Sequence, residues 1–98
     1  TNMSSPIEYS AIKSGIITIT KWLAKYHSNR NIRVNCVSPG GILDNQPITF
    51  LENYRESCCN IGMLTARKHI SEIITFLISD SASAINGQNI IVDDGWSL

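Results

Sequence analysis

A chain of 98 residues, 43% of them hydrophobic and with mean hydropathy near zero, has room for one globular domain at most. Its eight basic and eight acidic residues cancel, and neither sign forms a long block. The positive field that nucleic acid or an anionic membrane surface requires is therefore missing, and neither is expected as a partner.

Thr1-Asn2-Met3-Ser4-Ser5 has no signal-peptide pattern and is not an initiator-methionine start, so a chain cut from something longer is expected. Ser4, Ser5 and Pro6 are start signals for a first helix. Along it Ile12, Ile16, Ile19 and Leu23 recur at intervals of four, three and four, one amphipathic stripe running to about Tyr26. Ser28, Asn29 and Asn31 form its polar stop. Ile32 to Ser38 alternates apolar and polar residues with β-branched enrichment, which predicts a strand, and Pro39-Gly40-Gly41 ends it abruptly.

The stretch from Ile42 to Leu64 mixes turn formers with a short helix over Phe50 to Cys58. It reads as a mobile insertion or lid that orders when substrate binds. Cys36, Cys58 and Cys59 lack C-x-x-C spacing and have only the distant His27 and His69 as companions, so no metal site is expected, and adjacent Cys58 and Cys59 read as reduced thiols. Thr65 is placed to cap a second helix, on which Ile70, Ile73, Ile74 and Leu77 follow helical spacing to about Asp80. Arg67, Lys68 and His69 read as a solvated face. After the connector Ser81 to Gly87, a strand over Gln88 to Val92 is closed by Asp93-Asp94-Gly95, whose carboxylates are read as strand closers rather than as a catalytic pair. Helix, strand, helix, strand is the rhythm of an α/β unit with parallel strands. No apolar run approaches the ~18–20 residues of a spanning helix, and a reducing cytoplasm is the expected compartment.

Tyr9-Ser10-Ala11-Ile12-Lys13 puts a Tyr and a Lys four apart, on one helical face and one turn from each other. An ammonium there stabilises a phenolate and makes the tyrosine a usable acid or base. Alone the pair also fits a lysine stem packed on a surface ring. Together with Pro39-Gly40 after Asn31 to Ser38, the run Phe76 to Ser83, Ile85-Asn86-Gly87-Gln88 and the strand Ile90 to Gly95, it resembles the short-chain dehydrogenase/reductase family over nearly the whole chain.

That resemblance implies an α/β fold, the carboxyl-terminal portion of a Rossmann-type doubly wound parallel sheet. Residues 1–98 would be a fragment of one domain whose dinucleotide-binding amino-terminal half is absent. It implies an oxidoreductase passing a hydride between NAD or NADP, neither preferred, and a small-molecule alcohol or carbonyl substrate. Tyr9 would exchange a proton with the substrate oxygen. Lys13 would bind the nicotinamide ribose and tune the tyrosine, and Pro39, Gly40, Gly41 and Ile42 would form the loop passing the nicotinamide, where small residues allow close approach. Homo-oligomers through the Tyr9-bearing helix and the Thr65–Asp80 helix are implied. Trp22, Tyr26 and Trp96 are candidate contacts, with simple core packing equally open for Trp22. Ser4 to Tyr9 and Asn86 to Leu98 most resemble bacterial flagellin-modification enzymes of surface-sugar pathways, which implies a sugar or sugar-nucleotide substrate. In three places the chain departs from the family: Asp44 or Asn45 falls where a Thr is usual, Asp93-Asp94-Gly95 stands for the last residues of V-D-G-G, and the catalytic Ser, by spacing, precedes Thr1 and is neither Ser4 nor Ser5. The alternative is a non-catalytic dimerisation or interaction module derived from a truncated reductase.

Overall fold

The computed structural model describes residues 6–98; Ser4 and Ser5, expected to help start the first helix, lie outside the described residues. Helix α1, Ile7–Tyr26, begins at Pro6, whose carbonyl accepts the N–H groups of Tyr9 and Ser10 at 3.1 and 3.3 Å. Proline suits this position because its fixed φ directs the chain into the helix. The helix stops at His27, and Asn29 and Asn31 then take left-handed φ of 66° and 59°, which Asn tolerates better than most residues.

The expected stripe is present, but this chain does not cover it. Ile12, Ile16 and Ile19 are 64%, 51% and 57% exposed, whereas the buried residues of α1 are Thr20 and Ala24. Ala24 is buried because the chain returns beside it through Gly87, at φ +72°, where even a Cβ would lie 3.3 Å from the Ala24 methyl. Small residues thus allow close approach on one side, and the large apolar side has no cover among the described residues.

Strand β1, Cys36–Pro39, pairs with β2, Asn89–Val92, in a two-stranded sheet. The rungs from Cys36 N–H to the Gln88 carbonyl and from Gly40 N–H to the Val92 carbonyl advance in step, as parallel strands require. β1 is shorter than the alternation predicted, because around Val34 and Asn35 side-chain bonds replace most rungs of the ladder, leaving the Gly87 N–H to the Val34 carbonyl as the backbone bond there. Val34 N–H donates to Asn86 Oδ1, Asn35 Nδ2 to the Ile85 carbonyl, and Gln88 N–H to Asn35 Oδ1. Two compact units result, one of the described residues up to Cys36 with Ser83–Asn89, the other of Val37–Ala82 with Ile90–Leu98.

In the second unit the excursion from Ile42 to Leu64 is closed at its base. Ile42 and Leu64 form a parallel bridge, Leu43 N–H donates to the Leu64 carbonyl, and Leu64 N–H donates to the Gly41 carbonyl. It carries helix α2, Ile48–Glu56, which starts after Pro47 and so sits two residues earlier than the sequence pattern suggested. The expected single helix from Thr65 to Asp80 is divided into a π-helical turn, Ala66–Ile70, helix α3, Ser71–Leu77, and a 3-10 turn, Asp80–Ala82. Thr65 makes no side-chain cap. Ser71 closes the wide turn, its N–H and its hydroxyl both donating to the Ala66 carbonyl five residues back, while His69 Nδ1 accepts the Thr65 N–H at 2.9 Å. Leu64, Leu77, Ala82 and Tyr54 are the buried core of this unit.

Candidate active site

Two clusters contain the residues singled out by sequence, one in each unit. In the first, α1 holds Tyr9 and Lys13 on consecutive turns, with Lys13 Nζ 5.5 Å from the Tyr9 ring centroid. The ammonium lies in the range where a ring face attracts a cation, and Tyr9 is 51% exposed, so the phenol is open to a reacting molecule. This is the lysine-on-ring packing that the spacing alone allows.

The second cluster surrounds Pro39, Gly40, Gly41 and Ile42 at the exit of β1. Gly40 continues the ladder by one rung, donating to the Val92 carbonyl at 2.8 Å. Gly41 N–H then donates to the hydroxyl of Tyr54 at 2.6 Å. A Cβ on Gly40 would lie 2.8 Å from both Asp93 Cβ and Tyr54 Oη. One on Gly41 would meet Met63 Sδ at 2.6 Å and Tyr54 Cζ at 2.9 Å. The protein's own packing therefore already demands both glycines, whatever else approaches the loop. Ile42 is held by its bridge to Leu64.

Tyr54 was not singled out by sequence, although its spacing from Phe50, one helical turn, was a visible aromatic signal. It is buried, with its ring stacked between Phe50 at 6.2 Å and Trp96 at 5.8 Å. Burial pushes its hydroxyl above the ordinary phenol range, opposed by the Gly41 N–H and reinforced by Cys58, Asp93 and Asp94, so the group stays neutral. Trp96 stacks on Tyr54 within the chain. Trp22, 61% exposed and stacked on Tyr26 at 4.9 Å, lies outside the core of this chain.

Asp93 and Asp94 act as strand closers. Asp93 accepts the N–H groups of Gly95 and Ser97 at 2.9 and 3.2 Å. Asp94 stands where the family pattern carries glycine and takes a positive φ of 54°. Its Oδ2 accepts the N–H groups of Asn60, Ile61 and Gly62. Those of Gly62 and Ile61 hold the carboxyl below its usual range against some desolvation, helped by Asn60 and by the charge of Arg55. At the family's threonine position the chain folds on itself instead: Asp44 N–H donates to Gln46 Oε1, Gln46 Nε2 to the Ile42 carbonyl, and Asn45 has φ 59°. The three cysteines are free, Cys59 exposed and Cys58 half-buried, with burial pushing the Cys58 thiol up. Among the described residues no group of His, Cys, Asp and Glu is arranged to hold a metal, and no helix is long and apolar enough to cross a membrane.

Parallel strands joined by helices, a Tyr–Lys pair on the first helix and a Pro-Gly exit from the first strand define the carboxyl-terminal portion of a Rossmann-type α/β domain. The model for the family described as enoyl-(acyl carrier protein) reductase matches residues 2–97. Post-translational flagellin modification protein A of Campylobacter coli is 51% identical over 98 residues, all of this chain and 38% of that protein. A 3-oxoacyl-(acyl-carrier-protein) reductase of Thermotoga maritima is 38% identical over 90 residues, 89% of this chain and 37% of that one. Among solved structures, a short chain dehydrogenase from Leptospira borgpetersenii with bound NAD+ superposes with a TM-score of 0.86 at 38% identity, over 97% of this chain and 37% of that chain. A 4-hydroxyisoleucine dehydrogenase complexed with NADH and succinate gives 0.83 at 33% identity, over 97% and 41%. The chain belongs to the short-chain dehydrogenase/reductase family. It spans less than half the length of the relatives it matches.

Proposed function

We propose that this chain is the proton-transferring, carboxyl-terminal part of a nicotinamide-dependent oxidoreductase acting on an alcohol or carbonyl group. Its dinucleotide-binding half lies in sequence outside these 98 residues. The observation that carries the reading is the half-exposed Tyr9 with Lys13 Nζ over its ring, set within a fold shared with dehydrogenases solved with NAD+ and NADH.

Within the first unit, an accessible phenol with a cation beside it suits proton transfer at the nicotinamide end of such a cofactor; within the second, the strand exit at Pro39 to Ile42 carries two glycines packed against Asp93, Tyr54 and Met63. The described residues do not supply a pyrophosphate site, because α1 and α2 both begin at prolines and no glycine-rich turn leads into either helix. A bound nicotinamide, NAD or NADP, would supply the hydride acceptor or donor. Tyr9 holds or releases the proton at the substrate oxygen. Lys13 would stabilise the phenolate and hold the ribose, and Pro39, Gly40, Gly41 and Ile42 are the residues that the family resemblance assigns to the nicotinamide. A sugar or sugar-nucleotide substrate is the finer reading, supported by the 51% identity to a flagellin modification protein.

The exposed Ile12, Ile16, Ile19 and Trp22 support association of copies through α1, with the Thr65–Asp80 segment as a second contact. A purely structural, dimerising role would use the same surface without needing Tyr9. Substitution in the intact protein separates the two. Tyr9→Phe should abolish most turnover while cofactor binding persists, and Lys13→Met should lose both. Wild-type turnover in Tyr9→Phe would remove the catalytic assignment.

A further inference from the structure

We infer that Tyr54 is a positioning residue: its buried hydroxyl sets the orientation of the Gly40–Gly41 backbone and so the readiness of the strand exit to receive the nicotinamide. The inference rests on the nicotinamide reading above. The Gly41 backbone is held on two sides, by its N–H donating to Tyr54 Oη at 2.6 Å and by its carbonyl accepting the Leu64 N–H at 2.8 Å. The preceding rung, Gly40 N–H to the Val92 carbonyl, is the last provided by the sheet. Beyond it, two adjacent glycines have the widest conformational choice of any residue pair, and a flexible peptide there would sample many orientations.

Tyr54 is well suited to remove that freedom. The residue is only 6% exposed, and its ring stacks on Phe50 and on Trp96, the latter within 7° of parallel. The hydroxyl lies at hydrogen-bonding distance from Gly41 and against the bare Cα of Gly40, where a Cβ would be 2.8 Å away. Because Tyr54 sits on α2, inside the excursion closed by the Ile42–Leu64 bridge, its hydroxyl joins the Leu64 N–H in linking the arrangement of that excursion to the orientation of the loop. Removing it frees the Gly41 N–H and leaves the peptide between the two glycines a wider range of orientations within its remaining bonds. A ligand that needs one of them then binds more weakly, in proportion to the fraction left competent.

The test uses the intact protein, with NADH and NADPH as probes in fluorescence titration. Tyr54→Phe keeps the ring stack and deletes the hydroxyl. It should raise the dissociation constant of whichever cofactor binds roughly 5- to 10-fold, the range expected for one hydrogen bond whose donor is left without its partner. The lost bond should also lower the thermal midpoint by a few degrees, whereas the pH profile of turnover should not move. A hydroxyl that served stability alone would lower the midpoint and leave the dissociation constant untouched, and that result would overturn the inference. Equal affinity in Tyr54→Phe and a binding-competent wild type would overturn it while leaving the nicotinamide reading intact. A wild type that binds neither cofactor would overturn both.

Discussion

The glycines after β1 offer two physical explanations that a single substitution separates. If Gly40 is glycine only so that a cofactor can approach, Gly40→Ala leaves the cofactor-free protein as stable as before and harms binding alone. The packing requires more. The new methyl would lie 2.8 Å from Asp93 Cβ, 2.8 Å from Tyr54 Oη and 3.0 Å from Asp93 Cα, and the last is backbone of the residue that follows β2. Neither neighbour moves easily: Tyr54 is stacked between two aromatic rings, and Asp93 holds the Gly95 and Ser97 N–H groups. Overpacking of this kind costs about 1–3 kcal/mol. Gly41→Ala should cost less, because its nearest obstruction, Met63 Sδ, is the end of a flexible side chain, although Tyr54 Cζ at 2.9 Å must still give way. Urea unfolding of the cofactor-free intact protein, followed by tryptophan fluorescence, is the direct assay, since Trp96 stacks on the ring that would be displaced. A Gly40→Ala protein within 0.5 kcal/mol of wild type would refute the packing argument and return the glycine to the cofactor.

Asp94 should confer acid sensitivity on the segment Asn60 to Gly62. Its folded-state affinity for a proton is depressed, so its stabilising contribution is complete above the ordinary carboxylate range, about pH 4, and is lost as pH falls through the lower folded value. Amide exchange at Ile61 and Gly62 should therefore accelerate on acidification relative to the intrinsic rate. Asp94→Asn should show the fast exchange already at neutral pH, and unchanged protection in Asp94→Asn would count against the three-donor clamp. The 98-residue polypeptide produced alone should self-associate and show no measurable NAD(H) or NADP(H) binding, because Ile12, Ile16, Ile19 and Trp22 are uncovered and no glycine-rich helix start is supplied. Calorimetric titration with light scattering checks both, and a monodisperse monomer binding either cofactor at micromolar concentration would contradict the expectation.

The local pattern was enough to read α1, the abrupt end of β1 at Pro39-Gly40, the short strand β2 and the Tyr9–Lys13 pairing. Each depends on periodicity or on residues with restricted backbones, and those forces act within a few residues. The family followed from ordered motifs for the same reason. Helical spacing in α1 could identify an apolar stripe, but burial is a property of what lies opposite. In this chain Gly87 approaches Ala24, and Ile12, Ile16 and Ile19 remain exposed. The π turn before α3 is closed by Ser71 bonding five residues back to Ala66, a choice that helix propensity does not encode. Tyr54 on Gly41 and Asp94 on Asn60 to Gly62 join residues 13 and 32 to 34 positions apart, and chain order alone carries no signal for such pairs. Only the tertiary structure brings the aromatic stack onto the glycine pair. The sequence by itself determined that Tyr9 and Lys13 lie one turn apart on α1, and the folded arrangement decided what holds the loop that follows β1, because a hydroxyl orients a backbone only after packing has fixed the ring that carries it.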